Sequence, residues 1–131
     1  MNVWVCSISA FGVLGYAFPP DNAPNWPAGN TTDSTKQGVV LDTRVVGINN
    51  PDPIDSTVSG GRSAVHEIGH YLGLRHIWGD NNGTCTNDDG LDDTPKANAA
   101  HSQTCDTTSN SCADSPIDDP DMSENYMDYS D

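Results

Sequence analysis

The stretch His66-Glu67-Ile68-Gly69-His70-Tyr71-Leu72-Gly73-Leu74-Arg75-His76 reads HExxHxxGxxH and limits what this chain can fold into more than any other feature. Histidines four apart on a helix lie on one face, a turn apart, so both imidazoles can address a single ion. Gly73 falls where that helix should stop, because glycine enters the left-handed conformation at negligible steric cost. The chain then turns and brings His76 round as a third ligand. Three protein ligands leave a zinc ion one open position for water, which separates catalytic sites from closed structural ones.

Glu67 sits beside the first ligand and off the ligand face, so it can reach a metal-activated water without taking a coordination place. Its expected role is general base and proton shuttle. A bare HExxH can be an exposed helical turn with two unrelated histidines. The longer pattern arises by chance at only about one position in ten million for average residue usage, which decides for a metal site.

The remaining composition narrows the partners. Nineteen acidic residues against five basic ones give a net charge of −14, which argues against nucleic acid or an anionic membrane surface. No apolar run reaches the roughly eighteen residues of a membrane span. The start, Met1-Asn2-Val3-Trp4-Val5-Cys6, lacks the basic end and long apolar run of a signal peptide and reads as a strand already inside a domain.

Periodicity predicts a buried strand over residues 2–9, carried by Val3, Val5 and Ile8. Gly12 to Phe18, ended by Pro19-Pro20, reads on its residues as no more than an ordinary edge strand. Asp21 to Gln37 is a loop rich in Pro, Asn, Gly and Thr that contains the sequon Asn30-Thr31-Thr32. A third strand is expected over Gly38 to Ile48, with Val39-Val40-Leu41 and an extension through Arg44-Val45-Val46. After the loop Asn49 to Ser56, small and hydroxyl residues at Ser59 to Ser63 supply helix-start signals. The helix runs to about Leu74, with Val65, Ile68 and Leu72 predicted to pack on the sheet and His66 and His70 to face a cleft. Tyr71 and Trp78 read as packing residues.

Beyond Gly79 periodicity disappears, and Asp80 to Cys112 reads as a long loop region of the kind that is functional or externally braced. Four cysteines allow three pairings, and spacing alone does not choose among them. Asn87-Asp88-Asp89-Gly90-Leu91-Asp92-Asp93-Thr94 concentrates hard oxygen donors that suit Ca2+ better than zinc, although it lacks the spacing of an EF-hand loop. A solvated acidic turn is the plainer reading of the same residues. His101 has no partner by spacing and reads as an exposed loop residue.

The long zinc motif is the metzincin signature, and Asn125-Tyr126-Met127-Asp128-Tyr129 supplies its methionine turn. With Gly61-Arg62-Ser63, Arg75-His76-Ile77-Trp78-Gly79-Asp80 and Asp92-Asp93-Thr94-Pro95, the chain resembles the pappalysin family of metzincin zinc peptidases. The similarity extends upstream through Val3-Trp4-Val5, Leu14-Gly15-Tyr16-Ala17 and Gly38-Val39-Val40. That resemblance implies an α+β fold, a mostly parallel twisted sheet packed on the active-site helix, then an irregular lower part ending at the methionine turn.

It further implies that Gly12 to Phe18 edges the cleft and pairs with extended substrate, that Met127 floors the zinc ligands, and that Tyr129 stabilises the oxyanion. It implies a Cys85–Cys112 disulfide, a Cys105 whose partner lies beyond Asp131, and calcium at Asp89 and Thr94. Cys6 is then left as a buried strand thiol. The family's opening helix and first strands, and the helix after the methionine turn, have no counterpart here, which implies a truncated domain.

The combined expectation is one partial metallopeptidase domain over 1–131, with sheet and active helix in 1–76 and the irregular part in 77–131. It would be a secreted zinc endopeptidase, with Ca2+ as a second ion, acting on protein or peptide substrates. Cysteine pairing and the family both point to an oxidising, extracellular setting. The rival is a zinc-binding remnant that cleaves nothing. An acidic calcium module with incidental histidines does not explain the motif's spacing.

Overall fold

The computed structural model describes residues 1–23, 26, 32–47, 60–102 and 105–130. Asn30 and Thr31 of the sequon, the loop 49–56 and Ser59 lie outside these residues. The chain divides into two compact units, Met1–Leu74 and Arg75–Asp131.

The first unit contains strands β1 (Asn2–Cys6), β2 (Gly15–Phe18) and β3 (Gly38–Asp42) and the helix α1 (Arg62–Tyr71). The strands form one sheet in the order β1-β3-β2. Strand β1 runs parallel to β3, pairing Val3 with Val39, while β2 runs antiparallel and pairs Ala17 with the same Val39. The central strand is buried along its whole length, as the continuous apolar run Val39-Val40-Leu41 demands. Helix α1 packs on β2 and β3, giving the α+β arrangement expected.

Two strand expectations need correction. Val3 and Val5 are about half exposed, and Cys6 is an exposed thiol: α1 packs on β2 and β3, and among the described residues β1 pairs with β3 alone, so its side chains have little packed over them. Ile8, beyond the strand's end, is the buried residue of that segment. The extension through Arg44 and Val45 is not a strand, since Thr43–Val45 forms a 3-10 turn. Asp42 causes it: its carboxylate accepts the Arg44 amide at 3.0 Å and Arg44 Nε at 2.7 Å, which turns the chain. The same carboxylate accepts the Ile8 amide at 3.0 Å. These bonds, those from Arg44 foremost, hold the buried Asp42 carboxyl well below the usual carboxylate range.

The helix also differs from its expected orientation. Val65 and Leu72 are 46% and 67% exposed, whereas His66, Glu67, Gly69 and His70 are buried. At 3.6 residues per turn Val65, Ile68 and Leu72 share the side opposite His66 and His70, so one face only can meet the sheet. The face that does so carries Glu67, because Gly15 of β2 leaves room for it: a Cβ at Gly15 would lie 2.7 Å from Glu67 Cγ. No hydroxyl caps the helix start. Gly61, at φ 78°, is the N-cap residue.

The second unit has no helix among its described residues and one isolated parallel bridge, Ser102 to Tyr129. Ile77, Trp78, Ala97 and Met127 form its buried apolar cluster. Around that small core, polar side chains take over the work of regular structure. The Asn81 carboxamide donates to the Asn87 and Ala97 carbonyls and accepts from Thr84, Thr86 and the Asn87 amide. Cys85 and Cys112 are disulfide-bonded. Aspartates take up backbone donors, locally and across loops: Asp106 accepts the Thr108 amide two residues on, Asp114 the distant Lys96 amide and Asp121 the Ser111 amide. Much of the acidic charge is thereby structural, satisfying backbone donors that a loop would otherwise leave to water.

No helix among the described residues is long and apolar enough to cross a membrane.

Candidate metal centre

Two elements supply the candidate ligands. His66 and His70 project from one face of α1, with ring centroids 4.6 Å apart and planes nearly perpendicular. The helix then stops as its glycine predicts. Gly73 has φ 97°, its amide bonds to the His70 carbonyl at 2.9 Å, and the Leu74 amide reaches back to the Gly69 carbonyl at 3.0 Å. This is the paired 5→2 and 6→1 closure that only a left-handed residue at Gly73 permits.

The same turn orients a ligand, since the Leu74 carbonyl lies 2.8 Å from His70 Nδ1. A donor bond from Nδ1 fixes the neutral tautomer in which Nε2 is the metal-binding atom. The indole of Trp26 meets the His70 ring edge-to-face at 5.3 Å between centroids. Neither contact was legible in the sequence.

His76 is held by a separate set of contacts in the second unit. Its Nδ1 lies 2.6 Å from Asp80 Oδ1, its ring stacks on Trp78 at 4.2 Å between centroids, and Tyr129 meets it edge-on at 5.0 Å. Trp78 and Tyr129 are themselves in edge contact at 4.8 Å. Trp78 is thus both a core residue and the platform for a candidate ligand. Asp80, which the sequence offers only as part of the stretch that resembles the family, is placed by the structure as the partner of His76 Nδ1.

The ring nitrogens of His66, His70 and His76 lie within 4.8 Å of one another, and among the described residues no other group of three or more His, Cys, Asp or Glu side chains converges in this way. Three imidazoles, two of them with Nδ1 against an oxygen, are a donor set that fits Zn2+ and ill suits a hard cation. Glu67 is buried, and burial alone pushes its carboxyl up to about 7. A carboxylate in that range is matched to proton transfer near neutral pH.

The other expected residues fall as follows. Met127 is buried against Ile77, Trp78 and Ala97. The turn that carries it is closed by the Asn125 side chain, which accepts the Met127 amide at 2.9 Å. Tyr129 is half exposed. Asp89 is buried and accepts the Leu91 amide at 3.0 Å and the Thr94 hydroxyl, so the two expected calcium ligands bond to each other and to backbone. Burial, the largest influence, raises the Asp89 carboxyl above its ordinary range, and Asp88 and Asp93 add to the rise. His101 is not the exposed loop residue expected: its side chain is 15% exposed and is held between Asp128 and Asp121.

An α+β unit whose helix carries two of three converging histidines is the architecture of a metzincin-type metallopeptidase domain. Over residues 1–131 the chain matches the Peptidase M43 model, described as pregnancy-associated plasma protein-A, and it belongs to that family, the pappalysins.

Among curated relatives, an extracellular metalloprotease of Arthroderma benhamiae is 32% identical over 99% of this chain and 40% of its own length. One from Pyricularia oryzae is 35% identical over 100% of this chain and 41% of its own. Among solved structures, mature mirolysin of Tannerella forsythia in complex with a cleaved peptide superposes with a TM-score of 0.79 at 33% identity. It covers 99% of this chain and 44% of its own. The chain therefore spans about 40% of the length of the curated relatives it matches.

Proposed function

We propose that this chain provides the metal centre of an extracellular zinc-dependent endopeptidase. The observation that carries the proposal is the convergence of His66, His70 and His76 within 4.8 Å, next in sequence to a buried glutamate. His66, His70 and His76 would hold the ion. Zinc bound there supplies Lewis acidity, which acidifies water and polarises a carbonyl oxygen.

The protein's own groups do the rest. Glu67 accepts the proton of the attacking water and delivers it to the departing amine; a carboxyl pushed up to about 7 by burial both accepts and releases it readily. The Tyr129 hydroxyl donates to the oxygen that gains negative charge. Met127 keeps the methionine turn seated in the apolar cluster with Trp78, on which His76 stacks. Strand β2, at a sheet edge, offers backbone groups to an extended peptide. A protein or peptide substrate is supported by the cleaved peptide bound to the related mirolysin. A net charge of −14 opposes nucleic acid as partner.

An extracellular setting is supported by the names of the relatives and by the Cys85–Cys112 disulfide. The calcium expected at Asp89 and Thr94 draws no support from their geometry and is not part of the proposal.

The test is cleavage of a quenched fluorescent peptide library by wild type and Glu67→Gln, with zinc content measured in both. The expected result is activity in wild type, its loss by about a hundredfold or more in the variant, and equal zinc in each. Equal inertness with zinc retained would replace the peptidase reading with that of a zinc-binding remnant.

A further inference from the structure

His101 lies between two buried carboxylates that come from distant parts of the second unit. Its amide and its Nδ1 engage the two oxygens of Asp128, at 3.0 and 2.7 Å. Its Nε2 lies 3.2 Å from Asp121 Oδ2 and 3.3 Å from Ser109 Oγ. Asp121 is anchored in turn by the Ser109 hydroxyl and the Ser111 amide, next to the disulfide-bonded Cys112. On the other side, Asp128 Oδ1 also accepts the Tyr129 amide at 2.8 Å, and Ser102 bridges to Tyr129.

Ser109, His101 and Asp128 have the order of a nucleophile triad, but the Ser109 hydroxyl donates to Asp121 at 3.2 Å, and that carboxylate also lies against His101 Nε2. A serine held by a carboxylate acceptor, with the imidazole nitrogen held by the same oxygen, is not activated for attack. The cluster is a clamp.

We propose that His101 is a positioning residue for Tyr129. It acts through Asp128, fixing the residue after Met127 so that the Tyr129 ring keeps its place against His76 and Trp78. The bond that matters is the one from Nδ1 to Asp128; the one from Nε2 to Asp121 ties the clamp to the disulfide-braced loop. This rests on the role proposed above for Tyr129.

The two bonds can be separated chemically. The carboxamide nitrogen of Asn lies as many bonds from Cβ as Nδ1, and that of Gln as many as Nε2. His101→Asn therefore keeps a donor for Asp128 and loses the Asp121 bond, whereas His101→Gln does the reverse.

The experiment labels the full chain with 3-fluorotyrosine, assigns the Tyr129 19F resonance with Tyr129→Phe, and records it beside peptide-cleavage kinetics for both variants. The expected result is a Tyr129 resonance unchanged in His101→Asn and shifted in His101→Gln. In the latter kcat falls about tenfold with KM nearly constant, the size of effect typical when an outer partner of a metal site is lost. A resonance unmoved in both variants, or moved equally in both, overturns the proposal. An inactive wild type defeats the peptidase reading alone, and the resonance then decides this one by itself. If His101→Gln does not fold, Asp128→Asn replaces it; a shifted resonance supports the clamp and an unshifted one overturns it.

Discussion

Gly15 and Glu67 are in closer register than any side chain at position 15 would allow: a Cβ there would sit 2.7 Å from Glu67 Cγ and 2.9 Å from Oε1. The strand residue thus sets the depth at which the proposed general base lies. The atoms in conflict belong to a side chain, so Gly15→Ala should displace Glu67 without unfolding β2. The expected outcome is a loss in kcat/KM of about tenfold to a hundredfold, the usual consequence of misplacing a catalytic group by an ångström, with zinc content unchanged. Steady-state kinetics beside metal analysis check it. Loss of zinc in step with activity would refute this account of Gly15.

Asp42 predicts how the first unit responds to acid. Its carboxyl titrates below its ordinary 3.8 in the folded chain, chiefly through Arg44, so the stabilisation it contributes is complete above that value. It is lost as pH falls below 3.8 toward the folded value, because protonation then favours the unfolded chain. Arg44→Ala should cost about 2 kcal/mol at neutral pH, the scale of a hydrogen bond to a buried charge. The difference from wild type should shrink at pH values below the ordinary carboxylate range. Urea unfolding at both pH values tests it, and an equal difference at each would disprove the linkage.

The Cys85–Cys112 disulfide joins residues 27 apart in a unit with little apolar core. Chain-entropy reasoning puts the contribution of such a crosslink at about 3.5 kcal/mol. Cys85→Ser with Cys112→Ser should lower thermal stability accordingly and reduce hydrogen-exchange protection of the Asn98 and Ser111 amides, which bond beside the bridge. Unchanged protection there would show that the polar network holds the loop unaided.

What could be read in the sequence was what is local. His66 and His70 share a face because of helical geometry, Gly73 ends the helix because of its left-handed φ, and β3 is buried because Val39-Val40-Leu41 is apolar throughout. Longer-range relationships left no such trace. His101 meets Asp128 across 27 residues, a pairing that no periodicity encodes. Val65 and Leu72 form a regular apolar stripe yet face away from the sheet, since the space left by Gly15 favours the side carrying Glu67. Around Asp89 the spacing concentrates oxygen donors, but it does not reveal that the Asp89 carboxylate accepts the Leu91 amide and the Thr94 hydroxyl.

Asp80 offers the sharpest test of how His76 is oriented. Its Oδ1 lies 2.6 Å from His76 Nδ1, and its backbone sits at φ 58°, a conformation that aspartate and asparagine tolerate better than most residues. Asp80→Ala would confound loss of the carboxylate with backbone strain, so Asp80→Asn is the informative change. It keeps the turn and an acceptor oxygen for Nδ1 but removes the charge that makes the imidazole a stronger donor to metal. Zinc affinity should fall about tenfold while thermal stability of the metal-free protein stays within about 0.5 kcal/mol of wild type. Competition titration against a chelator of known affinity, with melting of the apo protein, measures both. If affinity is unchanged, the Asp80 contact orients His76 by hydrogen-bond geometry alone and its charge contributes nothing to metal binding; if stability falls in parallel, Asp80 is a fold residue of the second unit and not a partner of the metal centre.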